Sequence, residues 1–419
     1  MTHETADAVS ERPSRTTKFA GWRMMVIAFL AQNCAIGLSF GVYGTIVNAL
    51  QTEFGTNRTL ASSGLSLAML SMGLLSPVVG ALLTRFSIRA LMITGALMNA
   101  AGYALLTQAD SISLLLAIYL LILGPGICLL GVIPSSALVS AWFEKGRGRA
   151  LGFVNMPFFV FVFPIISAAV LQAYGLDALF GLITGIFLCL PPILLGVIDF
   201  PSKVNQEALG AAETEAVKRK TAALNPGSTL EIIANPSFMV LALGIGVLTA
   251  GGVMMVTHLT PLALNKGLHI GSASAVLSAF GVAGAGGALA FGWIADRIGG
   301  PKALALLSFS WAAPWSALFF IGASFLELVV TALLMGICSG GIVGLCGVVA
   351  NQWLGLGNFS RVMGLIYFAK IPFLFGAAPF AGFLYDQTGG YETSIALHIA
   401  TFLAIGALFA LYRPRPSVS

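Results

Sequence analysis

The chain has 419 residues, of which 58% are hydrophobic and only 9% are charged, with a mean hydropathy of +0.93 and a formal net charge of +5. Soluble domains carry charge on about a quarter of their residues. This composition therefore excludes an ordinary soluble protein and indicates an integral membrane protein. The apolar runs are continuous, which excludes a β-barrel, because barrel strands alternate with period two.

Apolar stretches of about 18 to 25 residues, the length that crosses a bilayer as a helix, occur twelve times. They cover roughly residues 24–48, 60–83, 90–108, 113–140, 150–172, 178–198, 237–262, 272–294, 302–322, 327–351, 362–384 and 392–411. We therefore predict an all-α membrane protein with twelve transmembrane helices.

Lysine and arginine determine the predicted orientation, because they accumulate in cytoplasmic loops. With the N-terminus inside, 18 of the 21 Lys and Arg residues fall in cytoplasmic segments. Arg58 and Lys266 fall outside, and Lys370 alone remains within the membrane. Both termini are thus predicted to be cytoplasmic, and the basic net charge needs no nucleic-acid partner to explain it.

A polar stretch, residues 199–235, divides the chain into two halves. Its Ala, Glu and Lys content predicts a cytoplasmic linker with a surface helix. The predicted organisation is an N-terminal tail 1–23, a first six-helix half 24–198, the linker 199–235, a second six-helix half 236–412 and a C-terminal tail 413–419.

The two halves share short motifs at one constant spacing. The residues Gly80 and Arg85 recur as Gly292 and Arg297, and Arg149-Ala-Leu-Gly recurs as Arg361-Val-Met-Gly, each displaced by 212 residues. Because both halves begin inside, the repeats are predicted to be parallel and related by an axis along the membrane normal.

The loop from Gly292 to Lys302 has the pattern G-x-x-x-D-R-x-G-x-x-K, which resembles the signature of the major facilitator superfamily. The resemblance implies a twelve-helix transporter that works by alternating access. Asp296 and Arg297 are expected to hold the cytoplasmic gate through charge-assisted bonds, together with Arg85 of the first copy. That copy has Thr84 in place of the acid, which shifts the expectation toward Asp296 and Arg297. The alternative is that these cations only set topology.

Three stretches resemble the branch of monocarboxylate transporters and oxalate:formate antiporters. They are Ser39–Leu67, Trp142–Gly152 and Tyr385–Tyr391. The resemblance implies an organic anion as substrate, bound by basic residues in spans eight and eleven. Span eight contains no basic residue here, and Lys370 in span eleven matches by location. One lysine suits one carboxylate.

Lys370 lies about nine residues, or roughly 13 Å, from Arg361 along a helix, close to the middle of a hydrocarbon core about 30 Å thick. No Asp or Glu lies deep in any predicted span. A substrate carboxylate would supply the missing charge. The alternative is a lysine that snorkels or lines a wet crevice.

Five further residues are candidates for the substrate site. Tyr367 shares the helix face of Lys370 and is expected to contact the carboxylate. Phe158 occupies the position equivalent to Lys370 in the repeat and would form an apolar wall, or else pack against lipid or the core. His258 is a candidate for substrate or proton binding, with a hydrogen-bonded packing histidine as the alternative. Tyr43 and Asn33 are further pocket candidates, with interhelical hydrogen bonds as the alternative.

The sequence thus predicts a secondary transporter of an organic monocarboxylate in the plasma membrane, coupled to proton symport or anion exchange. The alternative is an exporter of amphipathic or drug-like compounds, or a channel or receptor on the same fold. We expect no cofactor and no metal, because no nucleotide loop, metal cluster or catalytic constellation is visible in the sequence. We also expect a monomer.

Overall fold

The computed structural model describes residues 19–143, 147–204, 229–354 and 359–414, and within these ranges the regular elements are helices. Ten of the described helices are long and apolar enough to cross a membrane. In chain order the helices are α1 Gly21–Phe54, α2 Arg58–Arg85, α3 Ile88–Leu106, α4 Ile112–Trp142, α5 Arg147–Val154, α6 Phe158–Leu194, α7 Thr229–Ala234, α8 Pro236–Asn265, α9 Ile270–Ile298, α10 Gly300–Ala317, α11 Phe325–Leu354, α12 Phe359–Ala369, α13 Ile371–Thr388 and α14 Glu392–Leu411.

Two features explain why ten apolar helices correspond to twelve predicted spans. Helix α6 has 37 residues, about 55 Å of straight helix, which exceeds the thickness of a hydrocarbon core. It is interrupted at Gly175, whose φ of 82° a glycine adopts without steric cost. Predicted spans five and six lie on either side of this residue. Predicted span nine is α10, whose 18 residues include Lys302 and fall outside the ten.

Side-chain caps and glycines define several helix ends close to the predicted boundaries. Asn57 accepts a hydrogen bond from the backbone N–H of Leu60 at the start of α2, and Ser87 does the same for Ala90 in α3. Helix α1 ends at Gly55, where φ is 57°. These caps keep the connections between helices short.

The structure contains a repeat at the spacing found in the sequence. Helices α2 and α9 begin at Arg58 and Ile270, and α3 and α10 begin at Ile88 and Gly300, each pair 212 residues apart. Two close helix contacts recur at the same spacing. A Cβ on Gly124 would lie 2.9 Å from the carbonyl oxygen of Ala68, and one on Gly336 would lie 2.1 Å from that of Phe280.

The buried apolar residues form two clusters, one drawn mainly from residues 24–197 and one from residues 232–409. The halves meet where α1 packs on α8, α2 on α13, and α6 on α9. We name the two ends of the bundle by residues of α2 and α9. Both helices begin at the Arg58 end, α2 at Arg58 and α9 at Ile270, and both finish at the Arg297 end, α2 at Arg85 and α9 at Ile298.

The described side-chain hydrogen bonds between the halves all lie toward the Arg58 end. They join Thr45 to Ser274, Arg58 to Asp386 and Tyr391, Thr59 to Asp386, and Ser62 to Ala378. The halves are therefore closed against each other at this end of the bundle.

Candidate functional site

Lys370 stands at a break in a membrane helix. Helix α12 ends at Ala369, α13 begins at Ile371, and Lys370 has a φ of −82° and a ψ of −7°. Pro372 lies two residues further on, and proline interrupts a helix because it lacks a backbone N–H and its ring clashes with the preceding turn. Lys370 is only 8% exposed and lies inside the apolar run Val362–Thr388. The chain thus places a buried cation where a helix is discontinuous.

Among the residues that the structure describes, those around Lys370 are aromatic and include no negative partner. Its Nζ atom lies 3.8 Å from the ring centroid of Tyr367, which is a cation–π contact. Within the ranges given above, no carboxylate pairs with Lys370. Tyr367 lies beside Lys370, as the helical spacing predicts, and its hydrogen bond to a substrate carboxylate stays a prediction.

The start of α13 adds to the positive character of this point. A helix N-terminus carries a partial positive charge because its first backbone N–H groups have no partner within the helix. Broken membrane helices direct such termini at anionic groups in many transporters. Lys370 is the residue immediately before this terminus. The Lys370 ammonium and the N-terminal end of the α13 dipole therefore both make the electrostatic potential at this point positive.

The first half has a break at the equivalent position, and Asn33 bridges it. Helix α5 ends at Val154 and α6 begins at Phe158. The Asn33 Oδ1 atom accepts a hydrogen bond from the Phe159 N–H at 3.0 Å, and its Nδ2 donates to the Met156 carbonyl at 3.1 Å. The amide that was a pocket candidate thus binds the backbone across the break.

Phe158 follows this break and is 43% exposed. Its ring centroid lies 6.4 Å from that of Phe29 and 6.2 Å from that of Phe161, so it belongs to an aromatic cluster. Tyr43 is buried in a different contact: its hydroxyl donates to the Ala61 carbonyl and accepts from the Gly64 N–H, each at 2.8 Å.

A second polar cluster, the Arg58 cluster, lies between the halves. Arg58 is 4% exposed, and its guanidinium donates to Gln51, Asn48 and the Tyr391 hydroxyl at 2.8 to 2.9 Å. The Arg58 guanidinium also lies 4.2 Å from the ring centroid of Tyr385.

The carboxylate of Asp386 completes the cluster from the second half. It accepts hydrogen bonds from the backbone N–H groups of Arg58 and Thr59 at 3.0 and 2.9 Å. These bonds cap the first turn of α2 and join it to the C-terminal part of α13. The contact favours the closed arrangement of the Arg58 end.

His258 belongs to this cluster and is fully buried. Its Nδ1 atom lies 3.0 Å from the Tyr391 hydroxyl, and its Nε2 atom lies 2.9 Å from the Ala378 carbonyl oxygen. Both ring nitrogens therefore have protein partners.

The residues predicted to gate the other end, Asp296, Arg297 and Arg85, are all exposed. The Arg297 guanidinium lies 3.5 Å from the ring centroid of Trp293. In the described part of the chain, no hydrogen bond or ion pair joins Asp296 to another residue. The latch at the Arg297 end remains a prediction.

The Arg58 cluster is the feature that sequence reasoning missed. The sequence places Arg58 outside the membrane and Asp386 away from the middle of any span, whereas in the structure Arg58 is buried and bonds to partners far along the chain. One signal was present: the stretches Ser39–Leu67 and Tyr385–Tyr391 both carry the family resemblance, and the structure brings them into contact.

Comparisons with known proteins place these features in a wider context. The sequence matches the profile of the Major Facilitator Superfamily over residues 28–313 and 259–419. Monocarboxylate transporter 10 from Mus musculus is 24% identical over 409 residues, covering 94% of this chain and 78% of the relative. The oxalate:formate antiporter from Oxalobacter formigenes is 26% identical over 293 residues, which cover 68% of this chain and 66% of that relative. The crystal structure of a D-xylose–proton symporter has the same fold, with a TM-score of 0.71 at 13% identity, covering 94% of this chain and 98% of that one.

Proposed function

The chain belongs to the Major Facilitator Superfamily, so it is a transporter and not an enzyme, and we propose that its substrate is an organic monocarboxylate. The observation that carries this proposal is Lys370, a buried cation at a helix break without a carboxylate partner in the described ranges. The names of the relatives, monocarboxylate transporters and an oxalate:formate antiporter, support the same substrate class.

Electrostatics explains why an anion is the fitting ligand. A lone charge inside a membrane protein costs several kcal/mol, and such residues mark substrate or ion pathways. A carboxylate beside Lys370 offsets that cost and also meets the positive N-terminus of α13. The exposed ring of Tyr367 and the Phe158 cluster would contact the apolar part of the substrate. One cation selects a monocarboxylate over a dicarboxylate.

The architecture we propose has twelve crossings, with α6 contributing two and α10 one. Both termini then lie in the cytoplasm, the Arg58 end faces away from it, and the halves 24–198 and 236–412 rock about Lys370. The hydrogen bonds at the Arg58 end support a state in which access is from the cytoplasmic, Arg297 end. Asp296, Arg297 and Arg85 would join the halves when that end closes.

The coupling we propose is proton symport or exchange of one anion for another, in the plasma membrane and by a monomer. His258, Tyr43 and Asn33 make their hydrogen bonds within the protein, so we assign them to the transport framework rather than to direct substrate contact. An exporter of cationic drugs is disfavoured, because such a carrier benefits from a buried acid, whereas this chain buries a lysine.

Counterflow in proteoliposomes tests the substrate class. Purified protein is reconstituted, and uptake of labelled monocarboxylates, their primary amides and an organic cation is measured with and without a pH gradient. We expect saturable counterflow of the carboxylates only. Lys370→Gln should reduce it about a hundredfold, the loss of one strong charge-assisted interaction.

The matched control is Arg413→Gln, which removes an exposed cation just after the end of α14. It should keep more than half of the wild-type rate. Preferential transport of amides or cations by the wild type would overturn the proposal, and so would normal carboxylate counterflow by Lys370→Gln.

A further inference from the structure

The hydrogen bonds around His258 have a fixed direction. The Ala378 carbonyl oxygen only accepts hydrogen bonds, so the His258 Nε2 atom, 2.9 Å away, must carry a proton. In a neutral imidazole the Nδ1 atom is then an acceptor, and it receives the Tyr391 O–H at 3.0 Å. The Tyr391 oxygen in turn accepts from the Arg58 guanidinium at 2.8 Å. The chain of donors runs from Arg58 through Tyr391 and His258 to Ala378.

Tyr391 is the point where this chain crosses between the halves. Arg58 belongs to the first half, whereas His258, Ala378 and Tyr391 belong to the second. Burial raises the pKa of the Tyr391 phenol, so this hydroxyl keeps its proton and acts as a donor. Tyr391 therefore connects Arg58 to His258 only while the His258 Nδ1 atom is neutral and can accept the hydrogen bond from the Tyr391 O–H.

We propose that His258, Tyr391 and Arg58 form a proton-sensitive gate, and that the Arg58 end closes only while His258 is neutral. A proton on Nδ1 would turn this atom into a second donor facing the Tyr391 oxygen. The phenol proton would then lose its acceptor in a buried site, and two cations would stand on either side of one hydroxyl. A protonated His258 is accommodated only when the end opens.

Other groups near His258 do not remove this conflict. The charged and titratable groups that act on it are Arg58 from α2, Asp386 from α13, and His398 from α14, beside Tyr391 itself. The Asp386 carboxylate already accepts from the backbone of Arg58 and Thr59. Helix α1 contributes the neutral side chains Asn48 and Gln51, whose oxygens accept from Arg58. The group in direct contact with Nδ1 remains Tyr391.

The gate predicts that acid opens the Arg58 end. If the closed form excludes the second proton, the ratio of open to closed molecules must rise with the protonation of a solvated imidazole. Between pH 7.5 and pH 5.5 this ratio should increase about tenfold. The effect requires no substrate, so its presence or absence is independent of the carboxylate proposal.

Electron–electron distance measurements test the gate on the full chain in nanodiscs. Nitroxides are attached at Glu53→Cys and Gln387→Cys, two exposed positions near the Arg58 end in opposite halves. The five native cysteines are replaced by alanine. The expected result is a long-distance population whose ratio to the short one rises about tenfold from pH 7.5 to pH 5.5.

His258→Gln is the decisive variant, because its amide nitrogen can donate to Ala378 but cannot take up a second proton. The pH response should disappear in it, while the control His269→Gln, an exposed histidine at the start of α9, should keep it. His258→Asn serves the same purpose if the glutamine variant does not fold. An unchanged ratio in the wild type would overturn the gate. So would a tenfold response that persists in the folded His258 variants.

Discussion

The two halves of this transporter contain the same break in the same helix, and they use it differently. In the first half, Asn33 fills the break between α5 and α6 by binding the backbone of Met156 and Phe159. In the second half, the break between α12 and α13 holds Lys370, whose charge has no carboxylate partner in the described ranges. One break is satisfied by the protein itself, whereas we propose that the other binds a substrate carboxylate.

This difference shows how a repeated fold acquires a single site. Both breaks follow from proline, Pro157 in one half and Pro372 in the other, which free backbone groups within an apolar run. A neutral amide satisfies those groups permanently. A lysine adds a buried charge, whose cost we propose a substrate anion offsets. The two breaks therefore differ because of their side chains, Asn33 in one half and Lys370 in the other, although the backbone break is repeated.

The close glycine contacts of the repeat provide the largest expected effect on stability. Gly336→Ala would place a Cβ 2.1 Å from the backbone oxygen of Phe280 in α9, whereas Gly124→Ala would place one 2.9 Å from the equivalent backbone oxygen of Ala68 and 2.6 Å from the Ser71 Cβ. The overlap with the backbone is deeper at Gly336, so we expect losses of about 3 and about 1 kcal/mol in unfolding free energy. Thermal unfolding in detergent, followed by tryptophan fluorescence, measures both.

Gly344→Ala is the control for this pair, since a Cβ at Gly344 has no atom within 4 Å. It should leave the melting temperature unchanged or slightly raised, as alanine favours helix more than glycine does. Equal losses for Gly336→Ala and Gly124→Ala would contradict the contact geometry described for the two halves.

Asn33→Ala tests the satisfied break and should have a smaller effect. It removes the bonds to Met156 and Phe159 and leaves partly buried backbone groups without these partners, at a cost of about 1 kcal/mol in a membrane protein. The matched control is Asn155→Ala, an exposed asparagine just after α5 whose amide donates to the Leu151 carbonyl. Its melting temperature should match the wild type. If both variants melt alike, Asn33 does not hold the break.

The sequence allowed prediction of those features that depend on local pattern. Apolar length predicted the helices, and the motifs around Arg85 and Arg297 revealed the repeat spacing that α2 and α9 also show. Lys370 was identifiable because a cation in an apolar run is conspicuous without any partner. The contact with Tyr367 followed from helical spacing.

Features that depend on distant partners were not predictable from one sequence. Arg58 bonds to a carboxylate 328 positions away, and Asn33 bonds to the backbone 126 positions away. A charge next to a helix end has the same local pattern whether it lies in a solvated loop or in a buried cluster. Only the packing of α2 on α13 distinguishes the two.

The most direct test of the account compares binding of a carboxylate with binding of its neutral analogue. Isothermal titration calorimetry is performed with the acid that shows the fastest counterflow and with its primary amide, on wild type and Lys370→Gln. The wild type should bind the acid about a hundredfold more tightly than the amide, and Lys370→Gln should lose that preference while keeping its affinity for the amide. A Lys370→Gln protein that still prefers the acid by the same factor would contradict the central role of Lys370.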